Sequence, residues 1–205
     1  MKINDSNTKQ IILEAAEAEF LEKGYGSAKM LAIAKRANVS HSMLHYYFSS
    51  KENLFQTIFL QKSQIIVPLL ENIFEQQLPF LELVRNFIET QFNFLRQNPK
   101  IPHFILSEIL TNEVNRALLF EVLSPKIINV FGKFEKAFNE EVEKGVIRPL
   151  QFKNFIMNIV SINVSTFILL PVLEDIIWQN GKNIEDILNE RRESNVQFVL
   201  SALKP

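Results

Sequence analysis

Apolar residues recur at spacings of three and four along most of this 205-residue chain, and glycine occurs only five times. In the first segment, for example, Ile12, Ala15, Ala16 and Phe20 fall on one stripe. This period is typical of α-helices that bury one face. Apolar residues make up 47% of the chain and cysteine is absent. We therefore expect an all-α fold that is held together by packing and not by disulfides.

Four helices are predicted in the amino-terminal quarter of the chain. The first covers residues 6–23 and the second covers 30–37. Ser40 can cap a third, short helix. The fourth begins at Ser49–Glu52, where the serine and the glutamate have the spacing of a capping box, and Pro68 should kink or end it. The residues expected to stop the first two helices are Gly24 and Asn38.

Longer, phenylalanine-rich helices are predicted beyond Pro79. Their expected ranges are 80–97, 101–110, 113–144, 151–178 and 183–203. The breakers between them are Asn98-Pro99, Thr111-Asn112, Gly145 with Pro149, and Asn180-Gly181. Pro125 is expected to divide the longest of these helices.

Residues 154–173 contain no charge over 20 positions, which is about the length that a membrane-spanning helix requires. The segment nevertheless carries six polar residues and lacks an aromatic belt, so a buried helix is the favoured interpretation. A membrane-associated helix bundle is the rival interpretation. The amino-terminal residues show no apolar stretch of a secretory signal, and a cytoplasmic location without membrane attachment is predicted.

The second and third helices are short and separated by a tight turn, which is the arrangement of a helix-turn-helix. In the third helix Val39, Leu44 and Phe48 should point inward, and Tyr47 should be partly buried. The residues left pointing outward are His41, Ser42, Met43, His45 and Tyr46. Such polar side chains need water or a hydrogen-bonding partner, and DNA supplies one.

Charge supports the same interpretation. No acidic residue occurs in the 29 positions between Glu22 and Glu52, where the overall content of 23 acids in 205 residues would place about three. The basic residues in or beside this gap are Lys23, Lys29, Lys35, Arg36 and Lys51. A surface that faces phosphates should combine lysine or arginine with an absence of carboxylates.

Residues 8–55 resemble the DNA-binding domain of the tetracycline-repressor (TetR) family of bacterial transcription regulators. The matching landmarks are Ile12–Ala16 with Phe20, Lys23-Gly24-Tyr25, Ile33-Ala34, Ala37 with Val39-Ser40, Leu44, Tyr46, Phe48, and Ser50-Lys51-Glu52 with Leu54. The resemblance implies an amino-terminal three-helix DNA-binding domain over 1–52. It also implies a larger helical ligand-binding and dimerisation domain over 53–205.

By this resemblance, Tyr46 and Lys51 are expected to contact phosphates. His41, Ser42 and His45 are expected to read base edges, and Lys29 and Met43 complete the predicted DNA-binding set. The chain departs from the family pattern at Ala28, where a capping threonine is usual. Residues 1–52 also carry nearly balanced charge. These two features leave open an alternative, a helical small-molecule-binding dimer that no longer binds DNA.

The family pairs its last two helices with those of a second copy, so 151–178 and 183–203 are the predicted dimer helices. The expected function is that of a repressor that a small apolar or aromatic effector releases from its operator. No basic cluster indicates a phosphorylated ligand. The candidate effector-binding residues are Phe87, Gln91, His103, Phe104, Glu108, Phe134, Asn158 and Asn163.

Catalysis has little support in the sequence. There is no nucleophile elbow, phosphate-cradling glycine loop or H-E-x-x-H pair. His41 and His45 stand four apart on the third helix and could hold a metal together, but no third ligand is evident. The chain is therefore predicted to be no enzyme and to use no metal or other cofactor.

Overall fold

The protein folds into α-helices joined by short connections. The computed structural model describes residues 5–176 and 183–205, and it contains no β-strand within those ranges. The helices in the described part are α1 (Asp5–Ser27), α2 (Met30–Arg36), α3 (His41–Tyr47), α4 (Lys51–Gln64), α5 (Ile66–Glu75), α6 (Phe80–Gln97), α7 (Lys100–Thr111), α8 (Glu113–Glu143), α9 (Phe152–Ile176) and α10 (Ile184–Leu203). The all-α prediction is confirmed.

The first two helices stop where left-handed backbone interrupts them. Gly24 has φ 70° and ψ 168°, which kinks α1 and leaves one further turn before Ser27. Asn38 follows α2 with φ 54°. Both conformations are rare for ordinary residues and are tolerated by glycine and asparagine. The two predicted stops are confirmed.

The start of α4 corrects the capping prediction. The Ser50 hydroxyl, not that of Ser49, accepts the Asn53 N–H at 3.1 Å. α4 then ends at Gln64, and a separate helix, α5, carries Pro68 in its first turn. Proline has no N–H to donate to the Gln64 carbonyl four residues earlier, so a break at this point is expected.

The later helices lie within two residues of their predicted ranges, with one correction. α8 runs without interruption through Pro125, which was expected to divide it. Leu123 and Val130, on either side of the proline, are both buried, and packing of this kind outweighs a cost of about 3 kcal/mol for an interior proline. The expected helix end at residue 178 and the breaker Asn180-Gly181 lie outside the described residues.

The chain forms two compact units. Unit 1 comprises the described residues up to Gln64 together with Phe104–Val122, and unit 2 comprises Ile65–His103 and the described residues from Leu123 onward. In unit 1, α1 packs against α2 and α4. The predicted boundary between residues 52 and 53 concerns functional domains, and it stays a prediction.

Aromatic rings fill both cores. In unit 1 the ring of Phe55 lies 5.0 Å from Phe20 and 5.3 Å from Phe104. In unit 2 Phe134 is fully buried, and five phenylalanine rings surround it at 5.3–6.4 Å: Phe74, Phe80, Phe87, Phe152 and Phe155. Edge-on ring contacts of this kind add to the gain from burial.

A buried amide network crosses the unit 2 core. Asn163, which is fully buried on α9, donates to the Ile88 carbonyl and to Gln91 Oε1, both at 3.0 Å. Asn195 of α10 donates to Asn163 Oδ1 at 2.9 Å. Satisfied polar groups of this kind fix the register of the packed helices, because any shift would leave them unpaired.

α9 carries the segment that was tested for membrane insertion. Residues Phe152–Val172 have a mean hydropathy of 1.9 and are long enough to cross a bilayer. The helix also holds Phe155, Ile159 and Asn163 in the unit 2 core, and core helices of other proteins satisfy the same criterion. This single segment does not indicate a membrane protein.

Gly24 offers a test of the kink in α1. Gly24→Ala should lower the free energy of unfolding by about 1–3 kcal/mol, because a side chain strains this backbone conformation. Gly26→Ala is the matched control. A built Cβ meets nothing within 4 Å at either position, and Gly26 lacks a positive φ, so its substitution should stabilise by up to about 1 kcal/mol. Urea unfolding at one fixed protein concentration measures both, and equal effects would contradict the explanation.

Candidate nucleic-acid interface

The seven-residue helix α3 is anchored by its inner side. Ser40 accepts the Met43 N–H at 3.1 Å and begins the helix. Leu44 is fully buried and Phe48 is 3% exposed, and both belong to the unit 1 core. The predicted inward positions are therefore correct for these two residues, and Val39 is half-buried.

The outer side of α3 is polar and open to solvent. Tyr46 is 79% exposed. His41, Ser42 and His45 are exposed, whereas Met43 and Tyr47 are half-buried. The structure thus brings four of the predicted DNA-facing residues onto one accessible surface and places Met43 at its edge. We call His41, Ser42, His45 and Tyr46 the α3 face.

Side chains on the α3 face lie close to one another. The rings of His41 and His45 are 4.5 Å apart at an interplanar angle of 78°. The hydroxyls of Ser42 and Ser40 are 3.0 Å apart. The Tyr46 ring contacts that of Tyr47 at 5.3 Å. These contacts hold donors and acceptors together without burying them, as a surface that meets base edges and phosphates requires.

Lys51 opens α4 and sits over the aromatic ring of Tyr25. Its Nζ lies 4.6 Å from the ring centroid and donates to the Gly26 carbonyl at 3.4 Å. Burial, assisted by the carboxylates of Glu52 and Glu108, raises the pKa of Tyr25 above its ordinary value. Tyr25 is therefore neutral near pH 7, and the cation–π contact positions the ammonium group at the helix start.

Some of the cations between Glu22 and Glu52 form ion pairs in the fold, so this stretch presents less free positive charge than its sequence suggests. Glu19, although 1% exposed, binds Lys23 at 2.8 Å and lies 3.5 Å from Arg36. Arg36 also binds Glu22 at 2.7 Å. Two of the five cations are thus paired with acids that precede the stretch. Lys29 and Lys35 are exposed, and neither forms an ion pair with any described residue.

One cation near the α3 face, that of Lys9, was not predicted from the sequence. The Nζ of Lys9, in α1, lies 5.9 Å from the ring centroid of Phe48, the residue that closes α3. This places an exposed ammonium beside the end of the α3 face. The linear sequence contains no signal for this neighbour, because only tertiary packing brings the first helix to the end of the third.

The predicted effector residues do not gather in one place. Phe87, Phe134 and Asn163 are buried in the unit 2 core, where Gln91 binds Asn163. Phe104 and Glu108 are buried in unit 1, where the Glu108 carboxylate accepts from Asn115 at 2.8 Å. His103 and Asn158 are exposed.

A cavity of about 170 Å³ opens in unit 2 between α9 and α10. Its lining residues are Arg148, Leu150, Gln151, Asn154, Phe155, Asn158, Phe198, Val199 and Ala202. Asn158 is the one predicted effector residue among them. The other candidates in unit 2 do not line this cavity: Phe87, Phe134 and Asn163 are buried in the core, Gln91 binds Asn163, and His103 is exposed.

Comparison with known proteins agrees with the helix-turn-helix geometry. The family model of bacterial regulatory proteins, tetR family, matches residues 12–58. RutR of Escherichia coli O157:H7, an HTH-type transcriptional regulator, is 23% identical over 203 residues, which cover 98% of this chain and 92% of RutR.

The amino-terminal part of the chain carries a TetR-family DNA-binding domain.

Two other similar proteins match over most of their length. The uncharacterized HTH-type regulator YhgD of Bacillus subtilis (strain 168) is 27% identical over 141 residues, or 69% of this chain and 72% of YhgD. The crystal structure of HlyIIR, a hemolysin II transcriptional regulator, has a TM-score of 0.68 at 23% identity and covers 98% of this chain and 99% of HlyIIR. The matches support a DNA-binding transcriptional regulator and not an enzyme, and TetR regulators bind DNA operators as dimers.

The departure noted at Ala28 has a structural counterpart. Ala28 is buried, and α2 begins after Lys29 without a side-chain cap. Most TetR landmarks in this chain, among them Phe20, Leu44 and Phe48, are core residues. They specify how the DNA-binding unit packs more than which bases it reads.

Proposed function

We propose that this TetR-family protein is a cytoplasmic, homodimeric repressor that a small apolar or aromatic effector releases from its operator. The observation that carries the proposal is the α3 face. Its polar side chains are exposed while Leu44 and Phe48 of the same segment are buried. A short helix anchored on one side in this way can enter the major groove with its other side against the base pairs.

Different residues around α3 have different roles in this proposal. Tyr46 and Lys51 bind phosphates, as does Lys29, and these contacts fix the register without reading sequence. His41, Ser42 and His45 read base edges, and Met43 contacts apolar base surface at the rim of the α3 face. Lys51 would leave the Gly26 carbonyl for a phosphate oxygen while its stem stays against Tyr25.

These roles predict that substitutions of phosphate-binding residues and of base-reading residues will affect DNA binding differently. Lys51→Ala should weaken binding to operator and random DNA alike and reduce the salt slope by about one per chain. His41→Ala and Ser42→Ala should instead lower the ratio of operator to random affinity, roughly fivefold or more for a lost base contact. Fluorescence anisotropy over a salt series can measure both quantities, with an operator selected by the wild-type protein from random-sequence duplexes.

Lys136→Ala is the matched control, because it removes one exposed lysine from α8 in unit 2. It should change neither the ratio nor the slope. Equal losses on operator and random DNA for Lys51→Ala, His41→Ala and Ser42→Ala would refute the division of roles.

The dimer is proposed to form through α9 and α10. Met157 on α9 and Phe198 on α10 are 64% and 65% exposed, and Leu169 and Val172 extend the apolar surface along α9. A monomeric soluble protein rarely leaves such a surface uncovered. The same surface on a second copy can cover it in a twofold-symmetric four-helix bundle.

Phe198→Glu should separate the dimer, because two carboxylates would be buried without partners at a symmetric contact. Sedimentation velocity should show the wild type at twice the chain mass of 23.8 kDa and the variant at the chain mass. Phe120→Glu is the matched control, since Phe120 is 72% exposed on the unit 1 part of α8. A dimeric Phe198→Glu variant, or a monomeric wild type, would contradict the proposed interface.

The effector is proposed to bind within unit 2. Its core combines many phenylalanines with a few amides, chiefly Gln91 and Asn163, and a site for an apolar ligand needs this composition. His103, Phe104, Glu108 and Asn158 lie away from this cluster and are weaker members of the candidate set. The chain passes between the units at residues 64–65, 103–104 and 122–123, so binding in unit 2 would act on unit 1 through these connections.

Effector chemistry can be tested with probes of contrasting polarity. Saturating decanoate or 2-naphthol should weaken operator binding roughly 5- to 150-fold, the usual range of coupling between two sites. Glucose 6-phosphate should have no effect. Release by the sugar phosphate, with no release by either apolar probe, would contradict the predicted effector class.

A further inference from the structure

Two histidines lie side by side on the α3 face. Both side chains are exposed, and their ring centroids are 4.5 Å apart. Imidazole nitrogens bind zinc, copper and nickel well. Metal–nitrogen distances of about 2.0–2.1 Å place the centroids of two imidazoles that share an ion roughly 4.5–5.5 Å apart. The observed separation falls in this range, and exposed rings can turn their nitrogens toward a common point.

The surroundings of His41 and His45 favour an open, two-ligand site. The described residues contain no group of three or more histidine or acidic side chains that could hold a metal. An ion bound by this pair would therefore keep water at its remaining positions. The whole chain has three histidines and no cysteine, and the third histidine, His103, belongs to α7 in unit 2. Few other side chains compete for such an ion.

We propose that His41 and His45 form a bidentate site for a divalent transition-metal ion, and that this ion and the operator compete for the same imidazole nitrogens. The competition rests on the proposed role of these histidines as base readers; the metal site does not. A bound dication also adds positive charge, which attracts the phosphates of any sequence. Metal binding should therefore reduce the preference for operator over random DNA more than it reduces binding itself.

The first experiment titrates the free, full-length protein with Zn²⁺, Ni²⁺ and Cu²⁺ by calorimetry. We expect one ion per chain, with Cu²⁺ bound most tightly of the three. In proton NMR spectra with Zn²⁺, the imidazole signals of His41 and His45 should shift together while those of His103 stay in place.

Loss of one imidazole should weaken binding by at least about tenfold, since the second ligand binds at high effective concentration. His41→Ala and His45→Ala test this directly. A spacing variant, His45→Tyr combined with Tyr46→His, keeps the composition but moves one ring to the next position around the helix. The proposed metal site would be wrong if the spacing variant bound these metal ions as tightly as the wild type. It would also be wrong if the wild type showed no saturable metal binding.

The second experiment measures affinities for the selected operator and for random DNA with and without saturating Zn²⁺. The ratio of the two should fall at least fivefold and recover with EDTA. In the double variant His41→Ala/His45→Ala, Zn²⁺ should leave the ratio unchanged. If bound Zn²⁺ left the wild-type ratio of operator to random affinity unchanged, the proposed competition between metal and operator would be wrong. Absence of any operator preference without metal would instead overturn the proposed function, while the calorimetry still decides the metal site.

Discussion

Burial of Leu44 and Phe48 in the unit 1 core determines where the α3 face points. α3 has seven residues, whereas isolated helices shorter than about 12–15 residues are marginal in water. Its existence and its rotation about its own axis therefore depend on packing. Once Leu44 is fixed inward, the geometry of the helix leaves Ser42 and Tyr46, two residues before and after it, on the opposite side. The surface that is proposed to meet DNA is thus a consequence of the core.

Features set by neighbours in sequence could be predicted. The stops at Gly24 and Asn38 and the Ser40 cap depend on one residue and its own backbone, and all three are observed. Ser49 and Ser50 could not be told apart, because both serines precede the helix and one residue of register decides between them. Pro125 was misjudged because its local cost is visible in the sequence and the packing of Leu123 and Val130 is not.

In the candidate site, too, features set by neighbouring residues could be predicted and features set by tertiary packing could not. Exposure of Ser42 and Tyr46 followed from helical periodicity, whereas His41, three residues before the buried Leu44, is exposed as the first residue of α3. The pairing of Arg36 with Glu19 and Glu22, and the position of Lys51 over Tyr25, join residues that the turns of the fold bring together. The effector candidates were harder still. Residue types can indicate an aromatic core, but only the packing of whole helices shows that Phe104 and Phe134 lie in different units.

Two surfaces of the described residues have opposite chemistry, and the proposed function links their energies. The α3 face is polar and is proposed to bind DNA, whereas the surface around Met157 and Phe198 is apolar and is proposed to bind a second chain. One recognition helix covers only a few base pairs, so a lone chain would hold its operator weakly. With the proposed dimer, operator affinity includes the free energy of pairing in unit 2. A side chain that never touches DNA, such as Phe198, can consequently set the protein concentration at which the operator is occupied.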